Sequence, residues 1–512
     1  MKFAFETKDR SIHVETLILI VGRAASFLFT FFIPIFLARN LAPAEYGTFK
    51  QIFLVFTTLY LILQGGMVQS LYYFIPQDPA RRSAWVFQSA LFVTAAGGLA
   101  AVAVLLGGNG LALYFSNPAL GEFIPKLALF TLLMLGSSYL ETTLIAQQRM
   151  AAGSAAFFLS EIVRGLFIIV PLLIDPSLSS VVSGLIAFAM IRFLATAIFT
   201  IRSVITPVAF PLSLFDAGRL KTQLAYALPF GVAVLVDIIQ QNLHQYVVGN
   251  LFDPATFAIY SVGIMQLPIV DFIYTPATQV LMVRMTPLLK SESGEERLAL
   301  WHDVTARLAL FFFPAAFFFC LIAPDFITLL FTNKYSQSIP LFQLSVLTIL
   351  PAALLSDGML RCYAEIRFIL VTTVLKSLLT VGLIIVLIKT AGLTGAALTA
   401  VITVYFGKLI MLWKIQKRMA VSWRRFLPWA NLSGTILLAG GVAAPLALLR
   451  HTIVLQPFTA LALLTTLYWT IYAALLFSTP LLPSSIRALV WSHLDRLLQT
   501  MRGTRNLAKK PA

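Results

Sequence analysis

Apolar residues run through this chain in fourteen stretches of about twenty, separated by short polar gaps. They cover 17–38, 49–75, 85–106, 126–146, 157–174, 181–201, 224–249, 257–283, 307–330, 340–360, 368–388, 393–413, 427–449 and 456–478, numbered here as spans 1 to 14. A helix of about 20 apolar residues crosses a ~30 Å hydrocarbon core. Lipid offers backbone groups no hydrogen-bond partner, so each stretch is predicted to be α-helical. The pattern therefore predicts an all-α integral membrane protein of 14 transmembrane helices.

Charge changes the picture by giving it an orientation. The 512 residues are 59% hydrophobic and 11% charged, with a formal net charge of +16. That surplus would suit a nucleic-acid binder, but its distribution excludes one. With the N-terminus in the cytoplasm, 26 of the 37 Lys and Arg fall in cytoplasmic segments or at the span edges beside them, and six in outer segments or at the edges beside those. This bias is the positive-inside signal, and it faces anionic headgroups. It predicts a multi-pass protein of the inner (cytoplasmic) cell membrane with both termini in the cytoplasm. Met1–Ser11 and the apolar run after it imitate a secretion signal, but the run is too long, so a retained first span is expected. Cys320 and Cys362 fall in or at the end of spans and build no disulfide framework.

The chain also repeats itself at an offset of about 210–216 residues. Leu41-Ala42-Pro43-Ala44-Glu45-Tyr46 follows span 1, and Leu251-Phe252-Asp253-Pro254-Ala255-Thr256-Phe257 follows span 7. Phe115-Ser116-Asn117 precedes span 4, and Phe331-Thr332-Asn333 precedes span 10. Two pseudo-symmetric six-helix lobes are predicted, 1–202 and 224–414, joined by a cytoplasmic linker at 203–223. Six spans per lobe bring both lobes in from the same side, the arrangement of parallel-repeat transporters. Two further helices lie at 415–478, and 479–512 is a basic cytoplasmic tail.

Charges inside spans cost on the order of 3 kcal/mol each on insertion scales, so each needs a reason. Span 7 is the clearest case: Asp237, Gln240, Gln241, His244 and Gln245 share one helical face. A cavity lining or a buried polar network between helices explains such a stripe. Arg23, Ser26 and Thr30 form a smaller polar face on span 1, although Arg23 is also within snorkelling reach of the inner surface. Span 2 adds Lys50, Thr57 and Gln64, and span 8 adds Gln266 and Asp271. A polar cavity between spans 1, 2, 7 and 8 is expected, faced by Asp237, Gln241 and His244.

Other charges read as structural. Glu161 and Arg164 on span 5 are one turn apart and can pair. Glu141 on span 4 and Asp357 on span 10 are near-equivalent, and Lys376 on span 11 aligns with Glu161. Ion pairs within each lobe are expected for Glu141, Asp357 and Lys376; a polar path for substrate or protons is the other reading. Arg192 and Lys408, on the sixth helix of each lobe, are expected to snorkel.

No phosphate-binding loop, Cys/His metal cluster or large outer loop with paired carboxylates occurs in the sequence. Enzymatic catalysis is not expected, and no cofactor or metal site is assigned.

At Leu37-Ala38-Arg39-Asn40-Leu41-Ala42-Pro43-Ala44-Glu45-Tyr46-Gly47-Thr48-Phe49 the chain resembles the polysaccharide-export flippases. These are oligosaccharide-lipid and O-antigen flippases of the superfamily that also holds MATE multidrug exporters and lipid II flippases. Gln64-Gly65-Gly66 through Tyr72-Tyr73-Phe74 looks like the end of their second span. The resemblance implies translocation of a polyprenyl-pyrophosphate-linked oligosaccharide from inner to outer leaflet for cell-surface polysaccharide biosynthesis, by alternating access of the two lobes. Its implied partners are the lipid-linked glycan, membrane lipids, and the glycosyltransferases and polymerase of the same pathway. Arg23 and Lys50 would then stand closest to the pyrophosphate, with Gln, Asp and Tyr side chains for the sugar. The alternatives are a cation-coupled multidrug exporter using Asp237 and Asp271, a lipid II flippase, and an assembly protein without transport.

Overall fold

The computed structural model describes residues 31–205, 214–289, 293–453, 455–482 and 487. Among them every regular element is helical. In chain order the α-helices are α1 (Phe31–Asn40), α2 (Pro43–Leu63), α3 (Met67–Gln77), α4 (Arg82–Tyr114), α5 (Pro118–Gly136) and α6 (Leu140–Ala146). They continue as α7 (Met150–Ile174), α8 (Leu178–Thr200), α9 (Ala217–Leu251), α10 (Pro254–Gly263), α11 (Ile269–Leu288) and α12 (Gly294–Phe331). The last are α13 (Ser338–Val346), α14 (Ser356–Cys362), α15 (Ile366–Met419), α16 (Trp423–Phe426), α17 (Trp429–Thr452) and α18 (Pro457–Ser478).

Eleven helical segments among the described residues are long and apolar enough to cross a membrane. The difference from fourteen has local causes. Most of span 1 lies outside the described residues, as does most of the basic tail. Span 8 is not one helix: the chain leaves helical geometry between α10 and α11, at Gln266-Leu267-Pro268. Proline lacks the amide a helix needs and disfavours helical geometry in the residue before it. Spans 11 and 12 both fall in α15, whose 54 residues would run about 80 Å if straight. Gly392 breaks that run with φ 56 and ψ −134, a conformation open only to a residue without Cβ. Span 2 is interrupted in the same way between α2 and α3, where Gly65 and Gly66 both have positive φ.

The repeat is visible in backbone geometry. Ser116 and Thr332 are non-glycine residues with positive φ, as are Gln148 and Ala364, and each pair lies 216 residues apart. The seven-residue helices α6 and α14 start 216 residues apart as well. Two unrelated segments would not place rare left-handed residues in this register. The helix starts in the Pro43 and Pro254 motifs agree in form and differ in chemistry. Glu45 reaches back to accept from the Ala42 amide at 3.1 Å, whereas the Asp253 carboxylate accepts from the Ala255 and Thr256 amides at 2.9 and 3.1 Å. The Thr256 hydroxyl, together with these amides, holds the Asp253 carboxyl below its ordinary value.

The chain divides into two compact units. The first comprises 1–268, 330–345 and 367–407; the second comprises 269–329, 346–366 and 408–512. Residues 330–345 and 367–407 belong with the first unit because they bond to it: Ser338 donates to Ile259 O at 2.7 Å, Ser345 to Gly263 O at 3.0 Å and Lys376 to Gln240 Oε1 at 3.2 Å.

In the first unit α2 is the spine. The two repeat motifs pack on each other there, since a Cβ on Gly47 would lie 1.7 Å from Pro254 O. Asn117 ties the start of α5 to α2 by donating to Thr48 Oγ1 at 2.9 Å and Gln51 Oε1 at 2.7 Å. Below the Gly65–Gly66 break, Tyr73 of α3 stacks on Tyr226 of α9 with centroids 4.5 Å apart. In the second unit α17 and α18 pack on α12 through Phe318, Leu321, Val442, Leu446, Leu464 and Tyr468. Pro314 leaves the Leu310 carbonyl without its usual helical donor, and the Tyr472 hydroxyl supplies one at 3.1 Å. Asp325, only 2% exposed, accepts two bonds from Arg450 at 2.6 and 2.9 Å.

Candidate functional site

Two polar assemblies occupy the membrane-spanning part of the first unit. The first is the face of α9 foreseen from the sequence. Gln241 donates to Asp237 Oδ2 at 2.7 Å, and both are exposed. One turn on, His244 Nδ1 and the Tyr260 hydroxyl are 2.9 Å apart, while Asn242 donates to Thr58 Oγ1 at 3.0 Å. Lys376 of α15 donates to Gln240, within electrostatic reach of Asp237. The stripe is therefore partly a network joining α9 to α2, α10 and α15, and partly an open face at Asp237 and Gln241. Of the other residues expected around it, Lys50, Thr57 and Gln64 lie on or directly after α2, Thr57 bonding back to Phe53 O at 2.7 Å. Gln266 is exposed in the break after α10. Asp271 is exposed on α11, which belongs to the second unit. Arg23, Ser26 and Thr30 lie outside the described residues.

The second assembly is built on α6, α7 and α8. Arg192 of α8 forms an ion pair with Glu141 of α6 at 2.9 Å, with the two side chains only 12% and 13% exposed. The same guanidinium bonds Ser160 of α7, and its Nε donates to Ser137 Oγ at 3.3 Å. One planar fork thus ties three helices together. Glu161 and Arg164 pair one turn apart on α7. Beside these charges lies a cavity of about 280 Å³, lined by Tyr60, Tyr72, Ser138, Glu141, Thr142, Ser154 and Arg192 among others.

Three expectations need correction here. Arg192 does not snorkel: its head is consumed by Glu141 and two serines inside the protein. Lys408 does not snorkel either, since it donates to Leu354 O at 2.8 Å and to the Tyr274 hydroxyl at 3.2 Å. The Tyr274 hydroxyl in turn bonds the Asp357 carboxylate. Two acid–base pairs that lie 216 residues apart in the chain are thus joined, Glu141 to Arg192 directly and Asp357 to Lys408 through Tyr274. The base on the fifth helix was the expected partner, but Lys376 finds the neutral amide of Gln240 instead. The sequence pattern does not locate the cavity. Its only signal in the sequence was the concentration of Glu141, Glu161, Arg164 and Arg192 on three successive spans.

Comparison with known proteins agrees with this architecture. The chain matches the family described as polysaccharide biosynthesis protein over residues 36–340. No curated protein sequence matches it. Among solved structures it is similar to the lipid II flippase MurJ in an inward closed conformation. That alignment has a TM-score of 0.66 at 13% identity and covers 90% of this chain and 97% of that one. It is also similar to an inward-facing multidrug resistance MATE transporter of the MOP superfamily, with a TM-score of 0.53 at 15% identity over 78% of this chain and 98% of that one. A MOP superfamily transporter from Pyrococcus furiosus gives 0.53 at 15% identity over 79% and 94%. At such identities these structures share the fold.

Proposed function

Because this chain belongs to the polysaccharide biosynthesis protein family, we propose that it is a flippase. Its substrate is a polyprenyl-pyrophosphate-linked oligosaccharide, moved from the inner to the outer leaflet for surface polysaccharide assembly. The observation that carries this reading is the group of buried, mutually paired charges beside an open polar cavity inside membrane-spanning helices. Such groups are retained where a polar cargo must pass, because a helix facing only lipid would not keep them.

In this reading fourteen spans form two six-helix lobes, 1–202 and 224–414, with two added helices at 415–478 and the basic tail at 479–512. The register of left-handed residues 216 apart supports the two lobes. The turn at Gly392 supports counting α15 as two spans. The protein sits in the inner membrane with both termini cytoplasmic, supported by the placement of Lys and Arg. Arg23 and Lys50 serve the diphosphate, which accepts hydrogen bonds only. Asp237, Gln241, His244, Gln266 and Asp271, with Ser26, Thr30, Thr57 and Gln64, offer the mixed donors and acceptors that sugar hydroxyls need. The glycosyltransferases and polymerase of the pathway act on either side of this step.

Deleting the gene tests the reading. The expected result is a lipid-linked oligosaccharide that accumulates in the inner leaflet, with surface glycan lost and both restored by the wild-type gene. Normal surface glycan with no accumulated lipid intermediate would overturn it.

A further inference from the structure

We propose that the cavity lined by Tyr60, Tyr72, Glu141, Thr142, Ser154 and Arg192 is a subsite for one neutral sugar ring of the translocated glycan, and not for its diphosphate. The inference rests on the flippase reading and adds where, and by which part, the substrate is recognised.

Four observations converge on it. The first is charge balance. Glu141 and Arg192 neutralise each other at 2.9 Å, and Glu161 and Arg164 do the same on α7. A diphosphate carries acceptor oxygens only, so it would meet the Glu141 carboxylate as a repulsive neighbour. A sugar hydroxyl both donates and accepts, so it can give to Glu141 while taking from Arg192. The second is Ser154. Its side chain is 7% exposed, it lines the cavity, and its Oγ has no hydrogen-bond partner among the described residues. Buried hydroxyls rarely stay unpaired, and a ligand hydroxyl would satisfy this one.

The third is size. A cavity of about 280 Å³ lies at the lower edge of the ~300–1,000 Å³ of small-molecule sites, which suits one ring rather than an oligosaccharide. The two tyrosines add flat apolar faces with polar tips. The fourth is position. Glu141 and Ser154 stand near the ends of spans 4 and 5 that the arginine and lysine distribution places on the cytoplasmic side. A glycan assembled in the cytoplasm meets that half first.

The test uses the full-length protein in lipid nanodiscs. Its probes are inorganic pyrophosphate and the monosaccharides released by hydrolysis of the host cell's own surface glycan. Sugar binding is read by saturation-transfer NMR titration and pyrophosphate binding by phosphorus-NMR line broadening. At least one monosaccharide is expected to bind. Ser154→Leu, which fills the void and removes the hydroxyl, should weaken that sugar tenfold or more while changing pyrophosphate binding less than twofold. Tyr72→Phe removes one hydroxyl from a side chain 45% exposed. It should weaken the sugar severalfold, and it serves as the control if Ser154→Leu elutes as aggregate. Binding of none of the sugars, or loss of pyrophosphate binding with sugar binding intact, would overturn the proposal. The flippase reading fails separately: wild-type protein that binds the sugar through Ser154 yet flips no lipid-linked oligosaccharide would sink that reading and leave the subsite standing.

Discussion

Glu141→Ala is expected to deplete the folded protein in the membrane. The substitution removes the carboxylate that pairs with the Arg192 guanidinium, 12% exposed, and leaves it on Ser137 and Ser160. Breaking a buried pair from one side costs about 3–5 kcal/mol. The pair borders the cavity and keeps 12% and 13% side-chain exposure, which places the cost near the lower figure. Net stabilities of only 5–15 kcal/mol make even that loss large. A drop of several degrees in the unfolding midpoint and a several-fold fall in membrane abundance are the expected readouts. Glu141→Gln combined with Arg192→Gln removes both charges and should recover much of the stability without restoring transport. Wild-type abundance and midpoint in Glu141→Ala would show that the pair does not hold α6, α7 and α8 together.

Arg23→Ala should reduce transport by about one to two orders of magnitude at matched protein level. A hydrogen bond to a charged group contributes about 1.5–3 kcal/mol net, and each 1.4 kcal/mol is tenfold. The effect follows from electrostatic asymmetry between the repeats. The first span of one lobe presents Arg23, whereas span 7 in the other presents Asp237 and His244. The diphosphate therefore belongs on the N-terminal side. Arg23→Lys should recover part of the rate, because charge survives while the bidentate fork is lost. Transport at the wild-type rate in Arg23→Ala cells would leave Arg23 as a snorkelling residue. The Glu141 and Arg23 effects are separable by readout: the first lowers abundance, and the second lowers turnover per molecule.

What could be read from the sequence follows from the range of each interaction. The all-helical, membrane-spanning character rests on local hydropathy, and the helices at Leu178–Thr200 and Pro457–Ser478 appear where apolar runs place them. Interruptions were harder. Pro268 and Gly65–Gly66 break spans that hydropathy draws as continuous, because an average over twenty residues does not register one missing amide or one positive φ. The stripe on α9 was legible because its residues share a face at helical spacing. Its partners Thr58, Tyr260 and Lys376 were not, since they come from other helices. Arg192 was misread for the same reason: depth along one span suggested snorkelling, while its acid lies 51 positions away in the chain. The repeat offset that aligns Glu141 with Asp357 also aligns Arg192 with Lys408. Following it one helix further would have matched each acid with the base on its sixth helix.

Reconstitution tests most directly whether this protein moves a lipid-linked oligosaccharide across a bilayer. Purified protein is placed in liposomes with a polyprenyl-pyrophosphate oligosaccharide carrying a fluorophore on its glycan, and a membrane-impermeant reductant is added outside. Empty liposomes should lose only the outer-leaflet half of the fluorescence. Liposomes with the protein should lose nearly all of it, faster than for labelled lipid II and without uptake of a cationic drug. Persistence of the inner-leaflet half, or equal movement of lipid II, would contradict the account.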